Sequence, residues 1–179
     1  GIEFGASLRT RYRFHQTPET AHDAKLSLAY RSFAITDTLT DTSVKGYDFA
    51  FGSVALGYGY RQLNLSRKGE LALDVEAGQS WYSGARYASY MRAQAQQTWR
   101  ISPQRQLRFG TDLERLWGQA TPDLDTLGLQ ASVTQGFASG NTGYLGLSVG
   151  GTRSSNPGSE YTEVTLRTGL ALKRPILGA

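Results

Sequence analysis

The chain has 179 residues, one domain's worth, with a formal net charge of +4, 39% hydrophobic residues and a mean hydropathy of -0.40. No run of ~18 apolar residues occurs, which excludes a transmembrane helix on length. Its 15 Arg and 4 Lys alternate with apolar residues and form no basic run, so no nucleic-acid partner is expected, and the absence of Cys permits an oxidising compartment.

Apolar and polar residues alternate along almost the whole sequence, the period of a strand with two unlike faces. Residues 2–14 set Ile2, Phe4, Ala6, Leu8, Tyr12 and Phe14 against Glu3, Ser7, Arg9, Arg11 and Arg13. Residues 24–35 set Leu26, Leu28 and Tyr30 against Lys25, Ser27 and Arg31. In "YDFAFGSVALGYGYR" (47–61) the apolar parity shifts near Gly52-Ser53, for which a β-bulge is one explanation. Residues 69–82 oppose Leu71, Leu73, Val75 and Ala77 to Glu70, Asp74, Glu76 and Ser80.

The stretch "YMRAQAQQTWRISPQRQLRFGTDLERLW" (90–117) has a helical composition, yet its parity predicts two strands about Ser102-Pro103-Gln104. Met91, Ala93, Ala95, Trp99 and Ile101 oppose Arg92, Gln94, Gln96, Thr98 and Arg100; then Leu107, Phe109 and Leu113 oppose Arg108, Asp112 and Glu114. Strands follow at 125–138 with Leu127, Leu129, Ala131, Val133 and Phe137, and at 142–153 with Leu145, Leu147 and Val149. The last, 160–173, sets Val164, Leu166, Leu170 and Leu172 against Glu163, Thr165 and Arg167.

Nine long strands without a helical segment predict an all-β, antiparallel barrel or sandwich. Their length, about 12–14 residues, exceeds the ~9–11 that cross a bilayer when tilted. Full charges on one parity suit a polar lumen, with the aliphatic parity in lipid. A transmembrane β-barrel in a bacterial outer membrane is therefore expected, with outer-membrane lipids as its surroundings. Closure of such a sheet holds Ala, Gln and Met in strands against their helix preference. Trp81, Tyr82, Tyr87, Trp99, Trp117 and Tyr161, near strand ends, are the expected membrane-interface aromatics. Glycines inside strands suit tight curvature.

Connections alternate in length. "SPQRQ" (102–106), "ASGN" (138–141) and "NLSRKGE" (64–70) read as periplasmic turns; "TDTLTDTSVKG" (36–46), "GQATPDLD" (118–125) and "SSNPGSE" (154–160) read as outer loops. "YSGAR" (82–86) is a short exception outside and "HQTPETAHD" (15–23) a long one inside. The first strand then runs inward from outside. Residues 1–179 read as a single barrel domain, and as an excerpt of a larger barrel, since no terminal aromatic closes the sequence and "ALKRPILGA" reads as a turn without its return strand. A chain opening on Gly1 without a basic or apolar leader has had any signal peptide removed or carries it elsewhere.

The expected lumen-lining residues are Arg9, Arg11, Arg13, Glu70, Asp74, Glu76, Arg92, Arg100, Arg108, Asp112, Glu114, Glu163 and Arg167. Opposed basic and acidic rows can pair across neighbouring strands, stiffening the wall, or impose a transverse field on a passing solute. Arg115 falls on the lipid parity beside Trp117. No catalytic residue, metal ligand or cofactor is expected: His15 and His22, placed in one connection with Glu19 and Asp23, have no metal-site spacing, and no nucleophile elbow or phosphate-binding glycine loop is present.

Residues 46–99 resemble the barrel domain of surface lipoprotein assembly modifiers. The shared features are Tyr47-Asp48 at a strand start, Gly57 to Arg61 at a strand end, and Trp81-Tyr82-Ser83-Gly84 followed by Tyr87. A rhythm of Leu/Arg strand, Asp-rich loop and Gly-rich strand continues to about residue 172. The resemblance implies a barrel of about fourteen strands, a size within the range of bacterial barrels, preceded by a periplasmic helical-repeat domain. It also implies export or display of lipoprotein cargo at the cell surface, through a polar lumen or a lateral gate. The residues alone leave a passive porin, an exopolysaccharide export channel and a structural anchor for periplasmic or surface partners as alternatives.

Overall fold

The computed structural model describes residues 2–34, 49–64 and 68–173. The 36–46 connection and the Tyr47-Asp48 strand start lie outside them. The described chain forms β1 (Ile2–Gln16), β2 (Thr20–Ala34), β3 (Phe49–Asn64), β4 (Gly69–Tyr82), β5 (Ala85–Ser102), β6 (Arg105–Gly118), β7 (Leu124–Gly136), β8 (Thr142–Ser154) and β9 (Tyr161–Ala171). They make one sheet in chain order, every neighbouring pair antiparallel. Among the described residues there is no α-helix, only a 3-10 turn at Pro157–Ser159, and β1 and β9 do not touch.

Residues paired across antiparallel strands point to the same side, so the register sorts the sheet into two faces. One face is apolar and open: Phe4 is 60% exposed, Leu56 66% and Leu166 66%. The other carries most of the charges and holds the buried polar groups, with Asp23 at 0%. The only buried apolar residues among those described are Ala55 and Ala88, and both lie on the charged face. A water-soluble sheet would hide its Leu and Phe; here those residues look outward and the polar side chains pack against one another.

The register also climbs. The row through Ala21 continues through Arg61, Ala72, Gln96, Gly110, Gln130, Ser148 and Thr165. Beyond it β2 has one more residue, Thr20, while β3 runs three to Asn64 and β5 six to Ser102. In the opposite direction β2 runs thirteen to Ala34 and β9 only four to Tyr161. This steady stagger is the shear of tilted strands in a barrel wall.

Two expectations are corrected. His15 and His22 do not sit in a long connection: β1 and β2 are joined by residues 17–19 alone, and the histidines pair with each other inside the strands. The Thr17 hydroxyl accepts from the backbone N–H of Thr20 at 2.9 Å, closing a turn that its polar composition disguised as a loop. No bulge occurs at Gly52-Ser53, because β3 keeps an unbroken register with β2 and β4. Phe51 simply lies on the charged face, opposite Arg31 and Tyr82, and touches the Tyr87 ring at 6.1 Å. Register shifts fall instead at Arg13/His15, Ser80/Trp81 and Arg100/Ser102.

Candidate functional site

Every residue expected to line the lumen lies on the charged face, arranged in rows that cross the sheet. One row contains Arg11, Lys25, Glu76, Arg92 and Glu114; the next contains Arg13, Asp23, Asp74, Asp112 and Glu163. Arg9 lies one row to the other side of Arg11. The face is held by a few strong contacts. Asp23 accepts hydrogen bonds from Arg11 and, at 2.9 Å, from Arg13 Nε, so one carboxylate aligns two guanidiniums. Lys25 pairs with Asp74 across the whole width of β3. Arg92 Nε donates to Glu114 at 2.7 Å, and the Tyr90 hydroxyl donates to Glu76 at 3.0 Å.

These bridges depend on glycine. A Cβ on Gly59 would stand 2.8 Å from Asp74 Oδ1 and 3.2 Å from Lys25 Cε. One on Gly78 would stand 2.6 Å from the Tyr90 ring. Gly110 and Gly128 similarly leave room for Gln130 and Asp112. Small residues on one strand thus let long side chains of the neighbours lie across it.

Because the strands tilt, residues at equal distance from the strand ends share a level. Call the side with turns 17–19, 103–104 and 137–141 the turn end, and the other the loop end. Arg61, Arg100, Arg108 and Arg167 all lie within two to four residues of the strand termini at the turn end. None of these four makes an ion pair among the described residues. Asp74, Glu76, Asp112, Glu114 and Glu163 lie deeper. A hollow of ≈330 Å³ lined by Arg61, Glu70, Asp74, Gln94, Gln96, Asp112 and Gln130 joins the two levels. The face therefore offers a rim of four arginines with Glu70 among them, an acidic belt, and amides between. No group of three His, Cys, Asp or Glu among the described residues is placed to hold a metal ion.

No family model matches the sequence, and no curated protein matches it. A solved structure, outer-membrane expressed OmpT of Vibrio cholerae, superposes with a TM-score of 0.64 at 12% identity, over 94% of this chain and 53% of that one. The fold is that of an outer-membrane β-barrel. This chain spans about half the length of that solved structure.

On this barrel wall Trp81, Trp99 and Trp117 stand on the apolar face, near strand ends, and Trp99 meets Phe109 edge-on at 5.4 Å. Three expected interface aromatics are corrected. Tyr82 and Tyr161 share register rows with Phe51 and Thr152, which sets them on the charged face. Tyr87 lies at the bulge opposite Ser80/Trp81, with ring contacts to Phe51 and Tyr82 at 6.1 and 6.3 Å. The histidines supply what was missed: the bulge at Arg13/His15 brings His15 onto the apolar face, 5.3 Å from His22, whose Nδ1 lies 2.7 Å from the Tyr58 hydroxyl. With Phe14 and Tyr60 they form an aromatic patch at the turn end.

The opposed charges pair both between neighbouring strands and across one. Arg92 reaches forward to Glu114 on β6, while Asp74 is taken by Lys25 on β2. Glu3, Asp23, Lys25, Arg31, Arg61 and Tyr90 are among the charged-face residues that the expected lumen lining left out. The spacing of Asp23 two positions before Lys25 was the available signal, masked by assigning Asp23 to a connection.

Proposed function

We propose that this chain forms part of a Gram-negative outer-membrane barrel that passes a polar substrate through its lumen, without catalysis. The observation that supports it is the polarity of the wall: exposed Leu, Val and Phe on one side, and on the other a basic rim leading to an acidic belt. Both histidines lie on the apolar face, away from the charged one. A membrane-spanning sheet must pair all its backbone groups, so this reading requires the free edges of β1 and β9 to find strand partners in the bilayer.

Export or surface display of a lipoprotein is the finer form of the proposal, and it rests on the resemblance of Gly57 to Arg61 and of Trp81 to Gly84 with Tyr87. Co-expression with a candidate lipoprotein, scored by protease accessibility on intact cells, tests it. Surface exposure should fall when this protein is deleted; unchanged exposure rejects the lipoprotein reading. The unpaired arginines of the rim favour a passive channel as the second reading. Steady ion conductance in planar bilayers without any partner would select it.

A further inference from the structure

The apolar face is not smooth. A hollow of ≈820 Å³ opens at the loop end, with Met91, Leu113, Trp117 and Leu127 among its walls and Arg115 and Arg153 at its rim. A second hollow of ≈450 Å³, lined by Phe109, Ala131 and Leu147, continues it and shares Leu129 and Val149 with the first. Its floor is made of small residues, Ala93, Ala95, Ala131 and Gly151, between larger neighbours. From the Arg115 level to the Phe109 level is six residues along β6, or about 20 Å at strand rise, the reach of a long acyl chain.

The rim carries matching chemistry. Asp125 lies between Arg115 on β6 and Arg153 on β8 in one register row, and pairs with Arg115 at 3.6 Å. Two guanidiniums and one carboxylate leave a net positive charge beside this apolar trough. Arg115 also stacks over Trp117 at 5.5 Å, an amphipathic ring suited to the headgroup level. All three charged groups sit within three residues of the strand ends at the loop end.

We propose that this trough is a lipid site: one acyl chain lies along Leu127, Leu129 and Val149, and the lipid phosphate is held at the rim by Arg115 and Arg153. The proposal is independent of what passes through the lumen. It is tested on the full chain, folded in micelles and examined by native mass spectrometry with phosphatidylglycerol or phosphatidylcholine of identical chains. Phosphatidylglycerol should be retained roughly fivefold better, the worth of one basic side chain against an anionic headgroup. Arg115→Gln with Arg153→Gln should abolish that preference, lowering phosphatidylglycerol retention more than phosphatidylcholine retention. Ala93→Trp, which fills the trough without touching the charges, should reduce retention of both lipids. Equal retention of the two lipids by the unmodified protein would overturn the proposal. A preference that survives both arginine substitutions, or retention unaffected by Ala93→Trp, would do the same.

Discussion

Lys25 on β2 and Asp74 on β4 form an ion pair across an intervening strand, lying over Gly59 where a side chain would collide with both. Each is more than a quarter exposed, so their attraction is moderated by solvent, and the geometry matters more than the charge.

Gly59→Val should therefore destabilise the barrel chiefly by overpacking. A cost of about 1–3 kcal/mol is expected, typical of forcing extra methyl groups into a filled space. Urea unfolding in vesicles, followed by tryptophan fluorescence, measures it; an unchanged midpoint would mean that the pair moves aside freely.

Asp23→Asn removes the shared partner of Arg11 and Arg13. The carboxylate is fully covered, but by two guanidiniums that are themselves 38% and 41% exposed, so the loss falls well below that of a deeply buried pair. A destabilisation on the order of 1–2 kcal/mol is expected by the same unfolding measurement. A neutral result would show that water replaces the carboxylate at no cost.

Arg92 and Glu114 are also partly exposed, at 44% and 31%. A double-mutant cycle with Arg92→Gln and Glu114→Gln should give a coupling of about 0.5–1 kcal/mol that shrinks at high salt. Coupling that persists undiminished at high salt would place the pair in a drier setting than its exposure indicates.

Replacing Arg61, Arg100, Arg108 and Arg167 together by Gln should shift ion selectivity toward cations, because the acidic belt then dominates the field. The reversal potential across a planar bilayer under a salt gradient reports the change. No shift would indicate that ions bypass the rim.

Leu147, midway along β8 on the apolar face, gives the membrane test. Leu147→Arg should cost about 2–4 kcal/mol in a lipid bilayer, as arginine does near the midplane of such barrels. A negligible cost in vesicle unfolding would remove this face from the hydrocarbon.

Strand number and the division into two faces were legible because alternation is a local property that each strand carries in its own sequence. Even the helix-prone Arg92–Gln96 stretch obeyed it, and only Gln97, opposite Phe109, stands on the apolar face against the pattern. What misled was position without parity. Tyr161 was judged by nearness to a strand end, although it stands two residues from Glu163 and must share its face. The 17–19 turn was hidden because Thr17, Pro18 and Glu19 read as loop, with His, Gln and Asp around them extending the impression. Contacts such as Lys25–Asp74 were beyond reach: they need the register of three strands and a glycine in the middle one.

The reclining side chains over Gly59, Gly78, Gly110 and Gly128 bear on bore width. A lysine, tyrosine or glutamine folded flat along the wall occupies space that an upright one would take from the centre. In the proposed channel, calibre is then governed by the residues that have no side chain at all, and a single methyl group there would lift a neighbour into the path of whatever travels through.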